Sequence, residues 1–426
     1  MALPPTKSRP TPILSNDITE AIFLRIRPHE AESLVRVSLT SKFWSSRLSG
    51  SSFCSQYVER HGNTPLLGFF CRWPELYEPK GEDTVGPFVS TSLLHPLYPD
   101  DMAEMDCAMD CRHGRALLAD LYADPDPVKF LIWDPITGRC RILVAPREYD
   151  SRHAAVICAD SACKHLACHE GNSKVVFVGV EHVGAAGFQA QASAYVYSTE
   201  TGQWSQPSPL LHLNASAAVL QNPSVLVNDK LYFVLKYDED DLEDGDDTID
   251  ILMYDLTSHS LAVIDAPTRD LSISSDFILL AMENGALGFA SLGWSSIHLW
   301  SQQMGPEGLL EWTAPTIVEH RNPNAHQEIP NEATEILGSF EGRDILIVDT
   351  NLGIYKFNLK SLEYEKIWKK EVFFRHSSVS ALQFMETGRY ISLLSNSLLP
   401  SVKHGLDILY NLNGITFSEV FFDQHI

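Results

Sequence analysis

The densest run of metal-capable side chains is CADSACKHLACHE, residues 158–170, which gathers Cys158, Cys163, His165, Cys168 and His169. Thiolate and imidazole are ligands that zinc prefers. These separations fit neither a finger nor a ribbon, and on a strand successive side chains face opposite ways. The run is therefore expected to be ordinary strand, with no metal. Cys107 and Cys111 make a weaker pair of the same kind. A second candidate, DEDDLEDGDD at 238–247, is rich in calcium-type oxygens but lacks the alternating ligands and closing Glu of an EF-hand. Like charges so close repel, which predicts a solvated loop; a docking site for a basic segment is the alternative. No glycine-rich phosphate loop, G-x-S-x-G elbow or H-E-x-x-H helix occurs, so no catalytic residue and no cofactor is assigned.

Charge narrows the partners. The 426-residue chain has a formal charge of −23. Residues 1–61 carry eight basic and five acidic side chains, which leaves −26 on the remainder. An acidic body lacks the clustered Lys and Arg that grip a phosphate backbone, so no nucleic acid is expected. No apolar run of 18 residues is present, so no membrane span is expected. MALPPTKSRPTPILSND has no apolar segment of the secretory kind, and its four prolines within the first twelve residues predict a flexible leader over 1–12. The eight cysteines then read as small hydrophobes in a reducing compartment, cytoplasm or nucleus.

What positions such residues is a chain whose hydrophobic period changes near residue 61. Before it the spacing is helical. Ser15 or Asn16 can cap a helix with Asp17 and Glu20 in its first turn. Ile18, Ala21, Ile22 and Ile26 share one face, and Pro28 stops the pattern. A second helix follows Glu30 with Leu34, Val35 and Val37. A third runs from about Thr40 with Phe43, Trp44 and Leu48, and a short fourth after Gly50 carries Phe53, Tyr57 and Val58. Three or four short helices cannot hide all these apolar side chains, so part of the set must bury against something else.

The stretch LSNDITEAIFLRIRPHEAESLVRVSLTSKFWSSRLSG resembles an F-box. Leu14, Asp17, Ile22, Phe23, Arg25, Ile26, Ser33, Leu34, Arg36 and Trp44 match that family's pattern in order and spacing. Ser15 departs from its usual Pro, Thr40 from a frequent Val, and Arg27 from the commoner Pro. The resemblance implies an F-box over 13–61 that binds a Skp-type adaptor and, through it, a cullin–RING ubiquitin ligase. It implies helix-in-groove recognition, with Leu14, Ile18, Ile22, Leu34, Val35 and Trp44 as the adaptor face. Some of these must instead form the unit's own core, and spacing does not sort them.

After residue 65 an apolar strand ending in an aromatic residue, a polar turn and a second short strand recur. The centres are Trp133, Tyr197, Tyr254, Trp300, Tyr355 and Tyr410, separated by 64, 57, 46, 55 and 55 residues. Further strands precede these, at 174–180, 229–237, 285–291 and 343–349. Four short strands per repeat make a blade, and six repeats predict a six-bladed β-propeller over 65–426; a pair of β-sandwiches, or fewer blades with irregular extras, is the alternative. Trp133, Trp204, Trp300 and Trp312 are expected to pack blades together. The turn at Asp134 to Gly138 and the IHLWS stretch at 297–301 resemble the kelch-like C-terminal domain of plant, especially grass, F-box proteins. The expected protein is a small all-α unit followed by a large all-β one, acting as a ligase substrate receptor with an unknown protein target. A propeller scaffold with a degenerate F-box, or a propeller enzyme using its central channel, are the rivals.

Overall fold

The structure, a computed structural model, describes most of residues 15–61 and 105–369, with short segments at 68–71, 88–90 and 379–380. Leu14, the leader over 1–12, most of the 158–170 run, the 238–247 loop and the repeat around Tyr410 lie outside the described residues. The chain divides into two compact units; the helices belong to one, and Leu66–Met385 forms the other.

The described residues of the first unit form four helices: α1 (Asn16–Phe23), α2 (Ala31–Thr40), α3 (Lys42–Leu48) and α4 (Ser51–His61). Ser15 is the N-cap of α1, its Oγ accepting from Ile18 N at 3.4 Å. Ser41 Oγ does the same for α3 through Trp44 N at 3.2 Å. The interior is small: Leu34, Leu48, Phe53 and Tyr57 are at most 1% exposed. Tyr57 Oη donates to Ile26 O at 2.8 Å, which ties α4 to the end of the first helix.

The second unit is a β-propeller. Blade one pairs β3 (Cys107–Arg112), β4 (Arg115–Asp120), β5 (Lys129–Trp133) and β6 (Cys140–Val144) in chain order, all antiparallel. They follow β1 (Gly68–Cys71) and β2 (Phe88–Ser90). Blade two has β7 (Ser151–Cys158), β8 (Ser173–Val183) and β9 (Gln189–Ser198), with an outer strand in two pieces, β10 (Gln203–Trp204) and β11 (Leu211–Leu213). In blade three the inner strand is split, β12 (Ala217–Val219) and β13 (Val225–Val227) both lying on β14 (Lys230–Tyr237), followed by β15 (Thr248–Asp255) and β16 (Ser260–Asp265). Blade four comprises β17 (Phe277–Ala281), β18 (Leu287–Leu292) and β19 (Ser296–Met304), edged by β20 (Leu310–Trp312) and β21 (Thr316–Glu319). Blade five is β22 (Ala333–Ser339), β23 (Ile345–Thr350), β24 (Gly353–Asn358) and β25 (Tyr364–Lys369).

The expectation of six blades is corrected: the described residues form five. The repeat centres Trp133, Tyr197, Tyr254, Trp300 and Tyr355 fall on β5, β9, β15, β19 and β24, the third strand of each blade. The sixth centre, Tyr410, lies outside the described residues. A three-stranded sheet instead joins β1 and β2 to β26 (Val379–Ser380), pairing Phe70 with Ser380 and Cys71 with Val379.

Consecutive blades bury one apolar layer between them, and the described residues form four such layers. Phe130 and Phe177 meet at 5.8 Å between blades one and two. Phe277 and Phe289 stack at 5.7 Å beside Trp300 in the layer between blades three and four. Tryptophans also close two of these seams at the outer rim. Trp204 Nε1 donates to Val144 O at 2.9 Å, and Trp312 Nε1 to Asp265 O at 2.9 Å. Val144 and Asp265 are the last residues of outer strands, so these are equivalent bonds across alternate seams. Replacing either indole by Phe keeps most of the packing but removes this hydrogen bond across the seam. Each of Trp204→Phe and Trp312→Phe should lower unfolding free energy by about 1 kcal/mol. The two should add in the double variant, as distant sites do, in urea unfolding.

A five-residue turn between third and fourth strands recurs. Gly138, Gly202, His259 and Leu362 end it with φ of +68°, +71°, +52° and +59°. Asp255 Oδ1 and Asn358 Oδ1 each accept two backbone amides inside it, at 2.8–3.0 and 2.8–2.9 Å. Glycine suits the left-handed end, whereas leucine there carries about 1–2 kcal/mol of steric strain. Leu362 is 51% exposed, so it returns little burial. Leu362→Gly should raise stability by up to about 1 kcal/mol, even after the added entropy of the unfolded chain; an unchanged or lower urea midpoint would refute this.

Candidate functional site

In the helical unit the structure separates core from surface. Leu34 is fully buried and belongs to the unit's own interior. Ile18 and Ile22, one turn apart on α1, are 52% and 42% exposed, and Phe43 on α3 is 46% exposed. Trp44 is half-buried; its ring stands edge-on to Phe23 at 5.1 Å and to Phe43 at 4.9 Å. The Val35 side chain and Leu14 lie outside the described residues. Arg47 reaches Glu20 at 2.9 Å and Asp17 at 3.6 Å and lies over the Phe43 ring. It thereby joins α3 to α1 beside the exposed apolar residues. Phe43 was not among the residues the sequence singled out for this face. Its exposure follows from packing, because Trp44 takes the contact with Phe23. The Ser15 and Thr40 departures have local uses: Ser15 caps α1, and Thr40 Oγ1 donates to Val37 O at 2.8 Å.

The propeller has a second cluster, formed where inner strands converge on the channel. A cavity of about 50 Å³ is lined by Asp110, Arg112, Gln221, Ser224 and Glu341, among others. Arg112 donates from Nε to Glu341 Oε1 at 3.2 Å, and from Nη1 to Asp110 Oδ2 and to Ser224 Oγ, the latter at 3.1 Å. Its Nη2 donates to the Ser224 carbonyl. Asp110 Oδ2 also accepts Val156 N at 2.7 Å. Nearby, the fully buried His153 contacts Asn222 O through Nε2 at 2.9 Å.

Burial dominates the proton affinities here. It pushes the Asp110 carboxyl up to about 6 in spite of the Arg112 charge beside it. Burial also opposes the charged guanidinium, but the Asp110 and Glu341 carboxylates outweigh it and hold Arg112 above its ordinary value. These directions pull differently on one ion pair. Arginine stays charged throughout, so the carboxyl is the partner that gives way. Burial pushes His153 down to about 4, with the Arg112 charge adding to the effect, and pushes the Cys111 thiol well up. Cys111 is therefore an inert thiol.

Two carboxylates do converge at the channel, as an enzyme reading would require, but on an arginine that neutralises one of them. Among the described residues no group of three or more His, Cys, Asp or Glu side chains could hold a metal ion. Cys107 and Cys111 are buried on β3, and Cys158 ends β7 half-buried. No described helix is long and apolar enough to cross a membrane.

No protein-family model and no curated protein sequence matches the chain. Among solved structures, similarity is found to the WD40 domain of SCAP from fission yeast, at 14% identity and a TM-score of 0.32, covering 62% of this chain and 55% of that one. A quinonprotein alcohol dehydrogenase-like protein from Bacteroides thetaiotaomicron matches at 12% identity and a TM-score of 0.30, covering 59% and 51%. A family 117 glycoside hydrolase from the marine bacterium Zobellia galactanivorans matches at 8% identity and 0.28, covering 57% and 72%. The chain thus spans about half the length of the first two. The class of the body, a β-propeller, rests on its own sheet order and inter-blade cores.

Proposed function

We propose that this protein is the substrate-receptor subunit of a Skp–cullin–F-box type ubiquitin ligase. The observation that carries the reading is the exposed apolar set Ile18, Ile22 and Phe43 on two helices fastened together by Arg47. Exposed anchors one turn apart on a helix are the form that groove recognition takes, and the F-box-like sequence supplies the partner class. The helical unit docks to a Skp-type adaptor, and the propeller acts as the interaction scaffold that holds a target protein. The chain does no bond chemistry; it raises the local concentration of target beside the ligase. On this reading the protein works in the cytoplasm or nucleus.

The test is co-purification. The full chain should retain a Skp-type adaptor under conditions where an established F-box protein does. Failure to retain it, with the propeller folded, would leave only the interaction scaffold.

A further inference from the structure

Among the described residues, the apolar layers of the propeller join consecutive blades. A ring held by nearest-neighbour layers alone would behave like a stack of repeats, in which each seam opens independently. The channel cluster is connected differently. Arg112 of blade one bonds Ser224 of blade three and Glu341 of blade five, and these partners are 112 and 229 positions away in sequence. Glu341 Oε1 also accepts Leu226 N of blade three at 3.3 Å. Asp110 takes Val156 N of blade two, and Asn222 Nδ2 donates to Phe277 O of blade four at 3.2 Å. Arg112 and Asp110 thus draw blades one, two, three and five into one hydrogen-bonded set, and the separate Asn222 bond ties blade four to blade three beside it.

We infer that Arg112 is a clasp across the channel, which couples blade one to blade three, two places away, as well as to blade five, and makes the ring open as one cooperative body. Its planar fork suits this task, since one rigid group serves three directions at once. The Arg112 side chain is 4% exposed, so solvent does not compete for its bonds.

Native-state hydrogen exchange on the full chain tests the clasp. In Arg112→Ala, amide exchange should rise at least about tenfold, the size expected for losing charge-assisted hydrogen bonds. The rise should appear together in β3, β13 and β22, while the outer strands β6 and β16 change little. Glu341→Ala cuts the link to blade five and also the bond from Leu226 N of blade three. It should raise exchange in β3, β13 and β22 together, and it carries the test if Arg112→Ala fails to fold. A rise confined to residues 107–115 in the first variant, or to the neighbourhood of residue 341 in the second, would overturn the clasp, as would no rise at all.

Discussion

Ile18→Asp/Ile22→Asp should abolish retention of a Skp-type adaptor while leaving the protein folded. Burying an isoleucine contributes about 1.5–3 kcal/mol. Losing two, and forcing two carboxylates against an apolar groove, should weaken binding by more than about a hundredfold. Both side chains are 42–52% exposed in the free chain, so the fold has little to lose. Leu34→Ala is the informative contrast. Leu34 is fully buried, and its truncation should destabilise the helical unit by about 2–5 kcal/mol. The pair thus separates loss of contact from loss of structure. Pull-down with matched circular dichroism and thermal melts reads both. Full adaptor retention by the double variant would remove α1 from the docking face.

Asp110→Asn should change how stability responds to acid. The folded Asp110 carboxyl titrates at about 6, above its ordinary 3.8, so its contribution is fully present below 3.8 and is lost as pH rises through 6. His153 is the opposite case. Its folded value is about 4 against 6.5, so its contribution is present above 6.5 and is lost as pH falls through 4. Between pH 4 and 6 folding takes up a proton at Asp110 and releases one at His153, and the two slopes offset each other. The asparagine variant lacks the first. Relative to the parent it should gain about 3 kcal/mol between pH 4 and 7, since every tenfold change in proton affinity between folded and unfolded chain corresponds to ~1.4 kcal/mol. Urea unfolding at several pH values measures the difference curve, in which the titrations of all other groups cancel. A flat curve would show that Asp110 is ionised as readily in the folded protein as in the unfolded one.

The propeller was legible because each blade buries its third strand between neighbours. Such a strand reads as an apolar run with an aromatic end, and Trp133, Tyr197, Tyr254, Trp300 and Tyr355 marked it five times. The turn residues were equally readable: Asn228 and Asp229 sit at φ of +48° and +59°, as a tight hairpin turn requires. Counting centres overshot the blades, because the Tyr410 stretch satisfies the pattern without a described sheet. The helical face was only half legible. Leu34 and Ile22 have similar hydrophobicity and periodicity, and which of them faces inward depends on α4, whose Phe53 and Tyr57 fill the interior. The channel cluster left no local signal. Asp110 and Arg112 look like ordinary polar residues at a strand end, and Glu341 sits 229 positions from its partner. Only the tertiary fold brings them together.

The two rim tryptophans imply an uneven mechanical compliance. Seams one–two and three–four are pinned at their outer edges by indoles. Seam two–three is instead pinned near the axis, where Gln221 Nε2 donates to Arg152 O at 2.6 Å and His153 meets Asn222 O. Stretched along its circumference, this ring would flex as paired blades that swing about axial pivots, so a bound target would feel two stiff arms rather than a uniform disc.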